Sequence, residues 1–176
     1  MEVCPFLVDI GYFRMGKGFL IKTVIATGLL SLFINILEEL VLMSQSAYNV
    51  TVELAETYKA LHNYEKALQH LLTLLDKATQ KEAKNIHLII CDMYIDWAIF
   101  NSEHDELDES YKHLDNALEY NPLNSEIYYN KALNKITQRD YAASVEFLHK
   151  ALEYNKTKDM HPKYYLKLSE AHYYLG

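Results

Sequence analysis

The sequence predicts an all-α fold of stacked helix–turn–helix repeats, a solenoid of about 3.5 repeats preceded by an apolar N-terminal helix. Three observations carry that prediction. The pentapeptide Ala-Leu-Glu-Tyr-Asn occurs at residues 117–121 and again at 151–155, 34 residues further on, and self-similarity at such a period marks a repeat architecture. Beyond Tyr48 the apolar residues recur at three- and four-residue steps, the spacing of an amphipathic helix rather than of a strand. Only five glycines and three prolines punctuate the 176 residues, too few for a sheet-rich fold with many tight turns.

Residues 1–47 differ in character from the rest of the chain. Phe19–Leu37 carries one charge, Lys22, with Arg14 and Lys17 before it and Glu38 and Glu39 after it. Positive charge ahead of an apolar run suits a membrane-inserted segment that starts on the cytoplasmic side. The charge-free part, residues 23–37, covers only about 22 Å as a helix against a hydrocarbon core of about 30 Å, and snorkelling by Lys22 extends it toward Phe19. Three readings stay open: a signal or uncleaved anchor, a helix covering the first repeat, and a true start at Met15. The anchor reading implies a membrane-anchored or exported protein; the covering-helix reading suits a cytoplasmic one.

The repeats occupy residues 48–176. In 50–62, Val52, Leu54, Ala55, Tyr58 and Leu61 form one apolar face, and Asn63 offers a cap for a second helix lined by Ala67, Leu68, Leu71, Leu72 and Leu75. Asp140 offers the same before Val145, Leu148, Ala151 and Leu152, and Pro122 ends the helix that reaches Tyr120. A long helix over 81–100, or a longer loop, absorbs the seven extra residues that separate Tyr94 from Ser110 relative to Tyr58 and Ala67. The acid-rich connection 101–109 places five carboxylates ahead of the next helix, where its dipole favours them.

These positions resemble the tetratricopeptide repeat, a 34-residue helix–turn–helix with the pattern W-x2-L-G-x2-Y…A-x3-F…P. In the first unit (about 48–81) the matching residues are Leu54, Ala55, Tyr58, Ala67 and Leu71. In the second (84–124) they are Ile90, Cys91, Tyr94, Ser110, Leu114, Ala117 and Pro122. The third (125–158) has Tyr128, Ala132, Ser144, Leu148 and Ala151, with Lys131 and Lys135 where Leu and Tyr are usual. A partial fourth (162–176) has Tyr165, Leu168, Ser169 and His172. The small residues, Ser169 included, let paired helices approach closely, and the large ones fill the space between repeats.

Composition excludes several functions. The formal charge is −7 and no basic stripe offsets it, which disfavours a nucleic-acid partner. Cys4 and Cys91 are the only cysteines, and no CxxC or HExxH spacing occurs, so no zinc, redox or catalytic motif is expected and no cofactor. Cys91 takes a small packing position and reads as an inert core thiol. His70 and His113 hold equivalent places and read as helix-surface residues. The acids of 103–109 lack the glycine and alternation of a calcium loop. Sequons occur at Asn49-Val50-Thr51 and Asn155-Lys156-Thr157.

The resemblance implies a non-enzymatic scaffold that binds a protein or peptide in a concave groove lined by the first helix of each pair. Carried over residue by residue, the groove comprises Val52, Glu56 and Lys59, then Leu88, Asp92, Ile95 and Asp96, then Glu126, Tyr129, Leu133 and Ile136, and finally Lys163, Leu166, Glu170 and Tyr173. Val52 and Glu56 stand where family members that clamp chaperone carboxyl tails have Lys and Asn, and acid there would repel a carboxylate. The expected partner has apolar anchors and basic flanks. The alternative is the repeat portion of a longer enzyme or sensor, with the chain a fragment ending on exposed apolar surface.

Overall fold

A computed structural model describes residues 17–156 and 161–176. Seven helices appear among them and no strand: α1 Lys17–Ala60, α2 Tyr64–Leu75, α3 Gln80–Glu103, α4 Leu107–Tyr120, α5 Ser125–Thr137, α6 Tyr141–Tyr154 and α7 His161–Leu175. The chain divides into two compact units, Met1–Asn49 and Val50–Gly176.

In the first unit, Leu29, Leu32, Phe33, Ile34, Ile36 and Met43 are exposed. No helix among the described residues is long and apolar enough to cross a membrane, so the expected span at 19–37 gains no support. The side chains before Leu29, and Cys4, Arg14 and Met15 altogether, lie outside the described residues.

The second unit is a succession of antiparallel helix pairs. α3 packs on α4 and α5 on α6, with α7 laid against α6. Local chemistry sets the boundaries. The Asn63 side chain accepts from the Lys66 amide and the Asp140 side chain from the Ala143 amide, as their positions predicted. Thr79 and Glu82 close a reciprocal capping box at the start of α3. The extra residues of the second repeat enter α3, which runs 24 residues. The expected acidic connection is correspondingly short, since Asn101 to Glu103 are still helical, and Asp108 and Glu109 occupy the first turn of α4.

Three hairpin turns repeat one backbone geometry. His62, Asp105 and Arg139 each have φ near +60° (56°, 62° and 60°). The next residue in each case donates its amide back five residues, Asn63 to Tyr58, Glu106 to Asn101 and Asp140 to Lys135, at 2.8–2.9 Å. This is the Schellman closure, which ordinarily takes glycine at the left-handed position. Arg139 has no short side chain to ease that conformation, so Arg139→Gly should stabilise the fold by about 0.5–1 kcal/mol, the strain relieved exceeding the entropy lost. Urea unfolding monitored at 222 nm checks this; a lower midpoint would refute it.

The core runs between the pairs. Cys91, Ile95, Ala98, Leu114, Ala117 and Ile127 form one cluster across α3, α4 and α5. Tyr129, Ala132, Leu148, Ala151, Tyr164 and Ala171 form another across α5, α6 and α7. The small residues Ala55, Cys91, Ala132, Ala67, Ser110 and Ser144 are all buried, as close helix approach requires. Ser169 corrects the expectation: it is exposed, because no helix covers that side of α7 among the described residues.

Candidate interaction surface

The first helices of successive pairs meet through charged side chains. Lys59 on α1 binds Glu56 of its own helix at 2.6 Å and reaches across to Asp96 on α3 at 3.3 Å. Burial by itself would lower the Lys59 pKa, but its contacts with Glu56 and Asp96 outweigh that and the net shift is upward. Lys163 on α7 lies 3.7 Å from Glu126 on α5 and sits over the Tyr129 ring at 4.1 Å. The Asp92 carboxyl is pushed up first by burial and then by Asp96 and Glu126, with Lys59 opposing and Glu56 adding. Acids from three helices therefore share one surface, with Lys59 and Lys163 the cations set against them.

The expected groove residues divide by exposure. Leu88, Asp92, Leu166 and Tyr173 are exposed, as is Glu56, while Val52, Lys59, Asp96, Leu133, Ile136 and Glu170 are half-buried. Ile95 and Tyr129 are buried and belong to the core clusters, so they shape the surface from beneath. Leu133 also packs against the second cluster. Lys167 pairs with Glu170 at 2.8 Å on α7.

Sequence reasoning missed two interior polar assemblies. Lys131, at a position where the repeat usually has Leu, is buried; it bonds Asp115 on α4 and lies near the rings of Tyr111 and Phe147, at 5.7 and 5.8 Å. The chain thus keeps a cation at a core position by giving it a carboxylate and two ring faces. The Tyr111 hydroxyl donates to the Lys131 carbonyl at 3.0 Å, and burial, then Asp140 and Asp115, push its pKa up. Asn134, also buried, accepts from Ser102 at 2.8 Å and donates to Ser110 at 2.7 Å, joining α3, α4 and α5. A lysine and an asparagine on otherwise apolar faces were the only signals of this.

His113 is a correction. It is buried rather than at the helix surface, stacked on Trp97 at 3.8 Å and beside Tyr94 at 6.0 Å. Trp97 in turn stacks on Tyr64, so the long helix α3 supplies rings to neighbours on both sides. Burial pushes the imidazole below its ordinary 6.5; Glu109 opposes this and Lys112 adds to it. The unfolded chain therefore takes up a proton that the folded chain resists, and stability contributed at neutral pH is lost as pH falls below about 6.5. His113→Phe should lose less Tm than wild type between neutral pH and about pH 5. Equal losses would assign the acid sensitivity to other groups. His70, by contrast, is half-buried and stacks on Tyr58.

The remaining features are chemically quiet. The Cys91 thiol is buried, receives a 3.7 Å contact from the Asn124 amide and is pushed up to about 11 by burial, so it stays protonated at neutral pH. A cleft of about 290 Å³ is lined by Leu61, His62, Asn63, Tyr64, Glu65 and Trp97, but both faces of the Trp97 ring are already stacked. No cluster able to hold a metal ion occurs among the described residues. Asn155 is buried at the end of α6 and Asn49 is helical, poor settings for sequons; Thr157 lies outside the described residues.

No protein-family model matches the chain, and no curated protein sequence matches it. Among solved structures, a complex titled for the TPR2B domain of yeast Sti1 with pHsp70 is similar at 15% identity, over 73% of this chain and 96% of that one, with a TM-score of 0.49. A likeness that distant carries no argument about partner or mechanism.

Proposed function

We propose that this chain is a tetratricopeptide-like scaffold that binds a protein segment along the first helices of its pairs, and that the segment is amphipathic and basic. The supporting observation is the surface on α1, α3 and α5 where Glu56, Asp92, Asp96 and Glu126 outnumber Lys59 and Lys163, with the exposed Leu88 on α3 beside it in sequence. Apolar contact supplies affinity, and the acids steer approach and register. The same acids oppose a partner whose main feature is a carboxylate.

A fluorescein-labelled amphipathic peptide of Leu and Lys, and its Leu and Glu counterpart, test this by anisotropy. The basic peptide alone should bind, and added salt should weaken it. Asp92→Lys/Asp96→Lys should cost at least about tenfold in affinity, worth ~1.4 kcal/mol. Leu88→Glu/Leu133→Glu should abolish binding while far-UV circular dichroism stays helical. Equal binding of both peptides, or unchanged binding by the helical double variants, would remove this surface from consideration.

A further inference from the structure

We infer that Lys59 and Lys163 are placeholders: each fills a cation seat on the first-helix surface that a basic side chain of the bound segment takes over. The inference rests on the function proposed for that surface and adds its regulation, in which the chain's own lysines compete with the segment.

The two seats are built differently, and an ammonium group occupies each. Glu56 on α1 and Asp96 on α3 hold the Lys59 Nζ at 2.6 and 3.3 Å. On α5, Glu126 lies 3.7 Å from the Lys163 Nζ, which sits 4.1 Å from the centre of the Tyr129 ring. That ring is buried and packs at 5.0 Å on Tyr164, whose hydroxyl donates to Ser125 at 3.1 Å. A fixed ring face beside a carboxylate attracts a cation through the ring quadrupole and the charge together, and a guanidinium suits it as well as an ammonium does.

Both lysines are held loosely enough to leave. Their side chains are 29% and 42% exposed, and ion pairs in contact with water hold weakly. Either long side chain can turn its charged end into solvent without opening the core. Lys131 is the contrast, buried against Asp115 and two rings with no such exit. Exchange also conserves charge: the arriving cation takes the carboxylate and the departing ammonium returns to water, so no acid is stranded. Asp92 stands electrostatically close to Asp96, Glu126, Glu56 and Lys59, yet has no ion pair among the described residues. A basic segment therefore meets an unpaired carboxylate before either lysine moves.

Two measurements on the full chain test this with one probe, a fluorescein-capped amphipathic peptide of Leu and Arg, which carries no amine of its own. By anisotropy, Lys59→Met and Lys163→Met should each bind the peptide about threefold more tightly than wild type does. Lys112→Met is the control: it removes the same charge from an exposed pair with Glu109 on α4, the second helix of its pair, and should leave affinity nearly unchanged. Reductive methylation read by mass spectrometry then follows the lysines of the wild type. Peptide binding should speed modification of Lys59 and Lys163 about twofold or more, because each loses its carboxylate, while Lys112 keeps its rate. Methylation that the peptide leaves unchanged or slows would overturn the inference, since the lysines would then stay in their seats and only repel the probe. Equal gains in all three variants would overturn it as well, assigning the effect to net charge. In both cases the wild type still binds the peptide and the proposed function stands. A peptide that neither wild type nor any variant binds would remove that function and this inference with it.

Discussion

Leu148→Ala should destabilise the second unit by about 2–5 kcal/mol, the cost of lost burial plus the cavity left behind. Leu148 is fully buried at the junction of α5, α6 and α7, among Tyr129, Ala132, Ala151, Tyr164 and Ala171. The buried members of that cluster are two large rings and three alanines, with Leu133, Val145, Leu152 and Leu168 packed on its edge. The alanines have no side chain to swing inward, and the rings are held by each other at 5.0 Å and, for Tyr164, by a 3.1 Å bond to Ser125. The edge leucines are the side chains able to move toward the cavity, and how far they do so sets where in the range the cost falls. In a quasi-one-dimensional stack the loss stays near its origin. Amide hydrogen exchange should therefore accelerate in α6 and α7 well before it does in α3, and urea unfolding should become less cooperative. Uniform acceleration across the helices would show that the unit unfolds as a single block.

Asn134→Ala should cost about 2–3 kcal/mol even though it deletes only a polar group, because two hydroxyls lose their partner in the interior. Ser110 is buried and Ser102 half-buried; the asparagine satisfies both with its two ends. The informative comparison is the triple variant Ser102→Ala/Asn134→Leu/Ser110→Ala, which removes every member of the network and refills the space. It should recover most of the lost stability, since removing both partners of a buried hydrogen bond is far less costly than removing one. A triple variant as unstable as Asn134→Ala would show that shape, not polarity, sets the requirement at this junction.

The pairing of helices was legible because its determinants are local. Three- and four-residue spacing, Asn63 and Asp140 ahead of their helices, and Pro122 after Tyr120 act through neighbours a few residues away, and the helix boundaries obey them. The stretched second repeat was legible as an anomaly, not as a structure. Seven added residues fit either a loop or two further helical turns, and the capping box of Thr79 and Glu82 with the apolar contacts of Ile86 and Ile90 drew them into α3.

The candidate surface was legible in part. Helical spacing places Glu56, Asp92 and Asp96 on the side of their helices that the resemblance assigns to a groove, and these three are accessible. The same spacing also selected Ile95 and Tyr129, which neighbouring helices bury. A wheel gives the direction in which a side chain leaves its helix; it does not say whether another helix lies there.

Sequence by itself determined that this protein is a succession of amphipathic helix pairs with small residues at the contacts, because periodicity, capping and side-chain size act within one helix or one turn. Tertiary structure alone decided which side chains the stack encloses. Lys131 rests inside because Asp115, Tyr111 and Phe147 come from two other helices to meet it. His113 is buried because Trp97 lies across it. Ser169, small like its counterparts, stays in solvent because nothing packs on it among the described residues. Burial is a property of the neighbour as much as of the residue, and the neighbour is supplied by the fold.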